Sequence, residues 1–305
     1  MNQDGILVIN KPAGMTSHDV VHKLRKAYNI KKVGHTGTLD PMVTGVMVVC
    51  FGKATKLAQF LIDESKSYRV TIRLGEATDT EDITGTIIEK QSINESDVPK
   101  LQQSMEQIIT SFNGEYWQTP PMYSALKVAG KKLYEYARKN IEVKREARCI
   151  HITEIMYDKP SFVYQKDTQV ITCAFDVHAS KGLYARTLCV DIGKKLNMPA
   201  TMEKLVRLAS GSYFLTDAYT LNDVLEKLPN FIGINDIILP MPTVFVETAV
   251  AEKLKVGYKL PHYFVQEKFN PDEQFAVYDK TTHTLIGIYK QSEKYPDKYQ
   301  SVRVI

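Results

Sequence analysis

The sequence lacks the features of several large protein classes. No stretch of its 305 residues approaches the roughly 18 uninterrupted apolar residues of a membrane-spanning helix. The first ten residues carry an acid and no basic residue ahead of a short apolar run, unlike a secretory signal. Internal repeats and low-complexity tracts are also missing. We therefore expect a globular protein that works in the cytoplasm and has no membrane partner.

Cysteine is scarce and is not arranged in pairs. The chain has four cysteines and no C-x-x-C motif, which argues against a zinc site of the usual spacing and against a disulfide framework. Each cysteine lies in an apolar or strand-like stretch. We predict buried, reduced thiols at Cys50, Cys149, Cys173 and Cys189.

An excess of one charge is missing as well, but only in the total. Lys and Arg number 39 and Asp and Glu 35, a net charge of +4. The stretch 118–148 has eight basic side chains against three acidic ones, a net +5, and 76–106 has eight acids against two lysines, a net −6. The small total is a cancellation of unlike segments, so a phosphate-bearing partner remains compatible with it.

Several catalytic and metal-binding signatures are incomplete. Gly52-Lys53 lacks the remaining residues of a phosphate-binding loop, and no G-x-S-x-G elbow is present. His18 and His22 are four residues apart on a predicted helix, but no third ligand is adjacent, which favours solvated or capping roles. The stretch DTEDITG misses the ligand spacing of a calcium loop. By pattern alone it is a solvated acidic turn.

Periodicity predicts an α+β fold with a mixed, mainly antiparallel sheet. Helical spacing of apolar residues covers 19–28, 54–62 and 98–112, and alternating runs predict strands at 67–75, 149–157 and 169–178. The order of helices and strands is too irregular for a doubly wound parallel sheet. A break at LPMP predicts two units, 1–240 and a small β-rich unit at 241–305.

One loop combines residues suited to chemistry. In HTGTLDP, Asp40 stands between a Gly/Thr-rich stretch and Pro41, directly before the apolar run VMVVCF. Such a carboxylate can act as a nucleophile or stabilise an oxocarbenium-like sugar, and when buried it needs a cationic partner. Arg186, at the start of a predicted helix, suits that role. The pattern alone is equally compatible with an ordinary Asp-Pro turn and a surface arginine.

The motifs taken together resemble one family. The segments NKPAGMTSHDVV, GHTGTLDPMVTGVM, KSYRVTIRLGEATDTEDITG, QTPPMYSALKVAGKKLYEYAR and SKGLYARTL, in this order, closely resemble the bacterial tRNA pseudouridine-55 synthases of the TruB type. The resemblance implies the pseudouridine synthase fold for the first unit and a PUA-like RNA-binding unit for 241–305. It further implies that a uridine in the T arm of tRNA is isomerised without cofactor or metal, by a monomer.

The resemblance also assigns roles to residues. Asp40 matches the catalytic aspartate, Arg186 its cationic partner, and Tyr68 the aromatic that stacks on the target base. Tyr184 matches a tyrosine beside the base and is a candidate for handling the proton at C5; as a base it would need a lowered pKa. Leu205 matches an apolar residue that packs on the target, with simple core packing as the alternative.

RNA contacts are implied outside these residues. His35 matches a loop histidine that fills space in the T loop after the base has flipped out. The basic insertion 118–148 matches a thumb-like segment over the RNA, with cations for phosphates and tyrosines for stacking. The implied contacts are Tyr123, Lys127, Lys131, Lys132 and Arg138.

Three hypotheses remain open at the level of sequence. The first is the tRNA-uridine isomerase, and the second is a non-catalytic RNA-binding protein on the same scaffold. The third is the same chemistry on another RNA or within a guided complex. Whether Asp40 attacks C1′ of the ribose, adds to C6 of the base or triggers elimination is equally open.

Overall fold

The computed structural model describes residues 4–62, 64–139 and 141–305. In chain order, its strands are β1 Gly5–Lys11, β2 Val33–His35, β3 Thr44–Phe51, β4 Lys66–Leu74, β5 Glu76–Thr78, β6 Ile87–Lys90, β7 Gly114–Gln118, β8 Lys127–Val128, β9 Lys131–Lys132, β10 Arg148–Gln165, β11 Val170–Ala179, β12 Ala200–Ser210, β13 Tyr213–Phe214, β14 Tyr219–Thr220, β15 Ile232–Gly233, β16 Thr243–Val246, β17 Leu260–Pro261, β18 Phe275–Asp279, β19 Leu285–Gln291 and β20 Lys298–Val304. The α-helices are α1 Ser17–Tyr28, α2 Ala58–Ile62, α3 Val98–Thr110, α4 Leu133–Ala137, α5 Ala185–Lys195, α6 Leu221–Lys227 and α7 Thr248–Lys255. Short 3₁₀ helices lie at Gly52–Lys56, Glu95–Asp97, Leu215–Asp217, Ile234–Asp236 and His262–Phe264.

A large mixed sheet organises the first part of the chain. Its path runs β14-β1-β3-β12-β4-β11-β10-β7, with β2 added to β3, β13 to β12 and β15 to β1. The β1–β14 and β3–β12 pairs are parallel, and the other pairs of this sheet are antiparallel. The predicted α+β class with a mixed, mainly antiparallel sheet is therefore confirmed.

The two faces of this sheet bury different partners. One face packs against α1, α3 and α5 through a core that includes Leu24, Ile109 and Leu188. On the other, apolar side chains of β1 and β3 share a cluster with Ala276 and Ile288 of a second sheet. Because both faces of β1 and β3 are covered, these strands are continuously apolar rather than alternating.

The second sheet follows the predicted break. It has the order β16-β18-β19-β20-β17 and its own core, to which α7 contributes. The predicted β-rich character of this segment agrees with the sheet, but the sequence pattern did not predict α7. Across the described residues, none of the helices has the length and apolar content needed to cross a membrane.

Two local predictions are wrong. The expected helix 54–62 begins as a 3₁₀ helix, Gly52–Lys56, and only Ala58–Ile62 is α-helical. Its buried residues Ala54, Leu57 and Phe60 are three apart, the repeat of a 3₁₀ turn. Cys149 is exposed, because neighbouring Ile150 turns inward and successive strand residues face opposite ways. Cys50, Cys173 and Cys189 are buried free thiols as predicted.

Candidate active site

A short loop between β2 and β3 presents Asp40, and hydrogen bonds from other segments hold it. The Leu39 N–H donates to Ser17 Oγ at 2.9 Å, and Ser17 Oγ lies 3.2 Å from the Leu39 carbonyl. The Val43 N–H donates to the Asp40 carbonyl at 3.0 Å, which closes a turn. The Asp40 carboxylate itself is 45% exposed. The backbone is thus restrained while the carboxylate stays accessible to a substrate.

A buried lysine fixes the same loop from below. Lys11 Nζ donates to the carbonyls of Pro12, Met15 and Pro41 at 2.9, 2.7 and 3.1 Å. Burial lowers the pKa of Lys11, and the nearby negative charge of Asp40 opposes that fall. Sequence analysis missed both Lys11 and Ser17 as residues of the site. Both residues belong to the motif NKPAGMTS. The motif alone did not reveal their role, because the backbone groups that they contact beside Asp40 lie far along the chain.

We expect Ser17→Ala to lower the free energy of unfolding by about 1 to 3 kcal/mol, because the buried Leu39 N–H loses its acceptor. Urea unfolding measures the change. The matched control is Ser104→Ala on α3, whose hydroxyl bonds to the Lys100 carbonyl at an exposed position. That control should change stability by no more than about 0.5 kcal/mol. Equal effects of the two substitutions would contradict a special role for Ser17.

Arg186 connects Asp40 to two further segments. Its Nη2 lies 3.3 Å from Asp40 Oδ2, and its Nη1 lies 3.5 Å from Asp82 Oδ2. The guanidinium also donates to the carbonyls of Thr80 at 3.2 Å and Tyr123 at 2.8 Å. The side chains of Arg186 and Asp82 are 9% and 7% exposed. One buried cation therefore joins the Asp40 loop, the acidic turn and the start of the insertion.

The interpretation of DTEDITG as a solvated acidic turn is wrong for its central residue, Asp82, whose side chain is buried. Asp82 Oδ1 accepts bonds from Thr80 Oγ1 and the Thr84 N–H, each at 3.0 Å, and from Thr84 Oγ1 at 2.5 Å. Its other oxygen faces Arg186. The turn satisfies one oxygen locally and orients the second towards the cation. Sequence pattern alone could not show this, because the partner lies about a hundred residues away.

The two ion pairs border a cleft of about 760 Å³. Tyr68 reaches it from β4 and Leu205 from β12, and Leu205 lies beside Val70 across the strand pair. Seven residues singled out from the sequence line this cleft together: Asp40, Tyr68, Tyr123, Arg138, Tyr184, Arg186 and Leu205. An aromatic ring, an apolar floor and a carboxylate–guanidinium pair make a cavity suited to a flat polar ring.

Tyr184 is clamped at the start of α5. Its N–H donates to Gln118 Oε1 at 2.8 Å, and its carbonyl accepts from Gln118 Nε2 at 3.0 Å. Burial raises the pKa of Tyr184, with Ser124, Arg148 and Arg186 opposing the rise. This direction is the opposite of the fall that a base requires. A phenol hydroxyl can both donate and accept a hydrogen bond, so Tyr184 can contact a base in the cleft in either role.

The other predicted RNA-contacting residues lie outside the cleft lining. Lys127, Lys131 and Lys132 belong to the small β8–β9 hairpin of the insertion. Arg138 and Lys132 lie 5.2 and 5.5 Å from the centre of the Tyr134 ring. The hairpin therefore presents cations beside the cleft, from the same segment that supplies Tyr123 and Arg138.

His35 ends β2 and is half-buried. Its Nδ1 accepts the Gly37 N–H at 3.2 Å, and burial lowers its pKa.

Across residues 4–62, 64–139 and 141–305, no group of three His, Cys, Asp or Glu side chains is arranged to hold a metal ion.

Family models match most of the chain. Residues 25–185 match the N-terminal domain of TruB family pseudouridylate synthases, and residues 186–246 match the C-terminal domain of tRNA pseudouridylate synthase B. The chain is 42% identical to the tRNA pseudouridine synthase B of Bacillus cytotoxicus, over 99% of this chain and 97% of that protein. It is also 42% identical to the enzyme of the same name from Staphylococcus saprophyticus, over 98% and 97%.

Solved structures share the fold. A Cbf5–Nop10–Gar1 complex contains a chain that superposes with a TM-score of 0.71 at 23% identity, covering 99% of this chain and 84% of that one. A chain of an H/ACA ribonucleoprotein bound to a substrate RNA superposes with a TM-score of 0.68 at 21% identity. At these identities the likeness concerns the fold alone.

Proposed function

The chain belongs to the TruB family of pseudouridylate synthases and isomerises uridine to pseudouridine in tRNA; we propose that its target is the T-loop uridine at position 55 and that Asp40 is its catalytic carboxylate. The observation that carries the assignment of Asp40 is its pairing with buried Arg186 at the wall of an aromatic-lined cleft. The reaction breaks the bond between N1 and C1′ and forms a bond between C5 and C1′. N1 gains a proton and C5 releases one.

Positioning and electrostatics divide the work between the residues of the cleft. A stacked uridine must flip out of its loop to reach the cleft, at a cost of a few kcal/mol. Tyr68 offers a ring on which uracil stacks, and Leu205 packs on the base. Arg186 pairs with the Asp40 carboxylate and orients it, so that it faces the nucleoside. Tyr184 borders the same space as a hydrogen-bond donor to the base.

The decisive experiment is tritium release from T-arm RNA labelled at uridine C5, followed by mapping of the product. Release from position 55 supports the proposal. The absence of any release by the wild-type protein would overturn it. Maps of pseudouridine in cellular tRNA with and without the protein test the target, and a loss confined to a site outside the T loop would contradict position 55.

The basic insertion is proposed to hold the RNA backbone over the cleft, and His35 is proposed to contact the emptied T loop.

We expect Lys131→Gln with Lys132→Gln to weaken tRNA binding. The slope of log affinity against log salt concentration should become shallower by about 1 per phosphate-contacting lysine. Filter binding between 50 and 200 mM salt measures the slope. Lys166→Gln with Lys227→Gln, in exposed ion pairs away from the cleft, is the control and should leave the slope unchanged.

We also propose that residues 241–305 form an accessory RNA-binding unit. Its support is a cluster of cations on this segment, in which Lys259, Lys294 and Lys298 lie 4.8 to 5.6 Å from the centre of the Tyr295 ring. We propose a monomer that acts in the cytoplasm, where tRNA is available as a substrate. Sedimentation of the protein–tRNA complex should give a one-to-one stoichiometry.

A further inference from the structure

Arg207 is a buried cation beneath the loop that carries Asp40. It lies on β12 and is 2% exposed. Arginine keeps its charge in proteins, and a buried charge normally requires an ionic partner. Among the described residues, no carboxylate forms an ion pair with Arg207; its hydrogen bonds go to backbone carbonyls instead. A well-packed apolar side chain would avoid the desolvation of a charge, so stability alone does not account for this guanidinium.

The contacts of Arg207 join two strands to the loop. Its Nε donates to the Val46 carbonyl at 2.5 Å, and its Nη2 donates to the Gly37 carbonyl at 3.3 Å. A Cβ atom on Gly37 would lie 3.2 Å from Arg207 Nη1, so the glycine lets the loop approach the guanidinium closely. Arg207 therefore supports the loop at Gly37, three residues before Asp40.

The same side chain lies beside Tyr68. Arg207 and Tyr68 are partners across the β12–β4 pair, and Leu205, two residues earlier on the same face, lines the cleft. Burial lowers the pKa of Arg207, and interaction with the Tyr68 hydroxyl opposes this. Arg207 thus donates a hydrogen bond to the loop and is paired with Tyr68 across the neighbouring strand.

We propose that Arg207 is a positioning residue that couples the Tyr68 phenol to the Asp40 loop, so that the ring that receives uracil and the reacting carboxylate keep one relative geometry. The inference rests on the proposed roles of Tyr68 and Asp40. It predicts that Arg207 acts on the reaction through Tyr68, and not through tRNA affinity or the fold.

A double-mutant cycle between Arg207→Met and Tyr68→Phe tests this coupling. We expect Arg207→Met to lower the single-turnover rate by roughly 10-fold or more, with the Kd for T-arm RNA changed by less than about 3-fold. In the Tyr68→Phe background most of that loss should disappear, because the contact is already broken. Arg207→Lys keeps the charge but not the forked guanidinium, so its single-turnover rate should lie between those of the wild type and Arg207→Met. Arg73→Met is the control: Arg73 pairs with Glu76 and Glu203, and its effect should be additive with Tyr68→Phe.

A second variant probes the contact without removing a buried charge. Gly37→Ala places a methyl group against the guanidinium, whereas Gly34→Ala, also near the end of β2, meets nothing within 4 Å. We expect Gly37→Ala to slow turnover several-fold with unchanged thermal unfolding, and Gly34→Ala to leave the rate unchanged. Suppose that the wild type is active, that the effects of Arg207→Met and Tyr68→Phe on the rate are additive, and that the two glycine variants have equal effects. This result would overturn the coupling role of Arg207 and leave the assigned reaction intact. An inactive wild type would overturn the assigned reaction as well.

Discussion

Asp40→Asn is expected to abolish pseudouridine formation, lowering the single-turnover rate by at least about 10⁴-fold, the scale seen when an enzyme loses its nucleophile. Asparagine is nearly isosteric, and the turn at this position uses the backbone carbonyl of Asp40, so the loop should keep its shape. The amide carries no negative charge with which to attack or to stabilise a sugar cation. Tritium release measures the rate, and filter binding of T-arm RNA should change little.

Two further variants sharpen the interpretation of Asp40. Asp40→Glu retains the charge but displaces it by a methylene group, and it should also be severely impaired because the loop is held rigidly by Ser17 and Lys11. Asp217→Asn removes an exposed carboxylate outside the cleft and serves as the control. Substantial turnover by Asp40→Asn would disprove the assigned role of this carboxylate.

Arg186→Met should damage both stability and catalysis. The substitution leaves Asp82 buried without its cation, and breaking a buried ion pair in this way costs about 3 to 5 kcal/mol. It also frees the Asp40 carboxylate from its partner. We expect turnover to fall by about 10² to 10³-fold in the variants that still fold, the effect of losing one preorganised electrostatic partner. Urea unfolding and single-turnover assays measure the two effects.

The double variant Arg186→Met with Asp82→Asn separates these effects. Neutralising Asp82 removes the unpaired buried charge, so a large part of the stability should return while turnover stays low. Arg186→Lys keeps one positive charge but not the fork that reaches two carboxylates and two carbonyls, so it should fold better than Arg186→Met and remain slow. Recovery of turnover together with stability would show that Arg186 only supports the fold.

Much of the fold follows from local pattern. The helix predicted over 19–28 lies within α1, which begins at Ser17 after a Thr16–Asp19 capping box, and the strand predicted at 169–178 corresponds to β11. The failures are local as well. A repeat of three apolar positions is shared by a 3₁₀ turn and a helix, and a single cysteine in a strand gives no indication of which face it occupies.

The cleft was only partly predictable. The resemblance singled out Asp40, Tyr68, Tyr184 and Arg186, and all four line one cavity. The residues that hold them were not found, because each acts through a distant segment. Gln118 clamps the backbone of Tyr184, and its own neighbours in the sequence contain no sign of that contact.

The sequence by itself determined the order of elements, the apolar faces and a set of motifs that together specify the family. The tertiary structure decided which charges meet. Asp82 becomes a buried partner of Arg186 because the sheet and α5 bring residues about a hundred positions apart to 3.5 Å. Lys11 and Arg207 are charged side chains in strands, and only packing shows that they lie beneath the Asp40 loop. Periodicity reports burial along one element, whereas ionic pairing depends on distances between elements, and those exist only after folding.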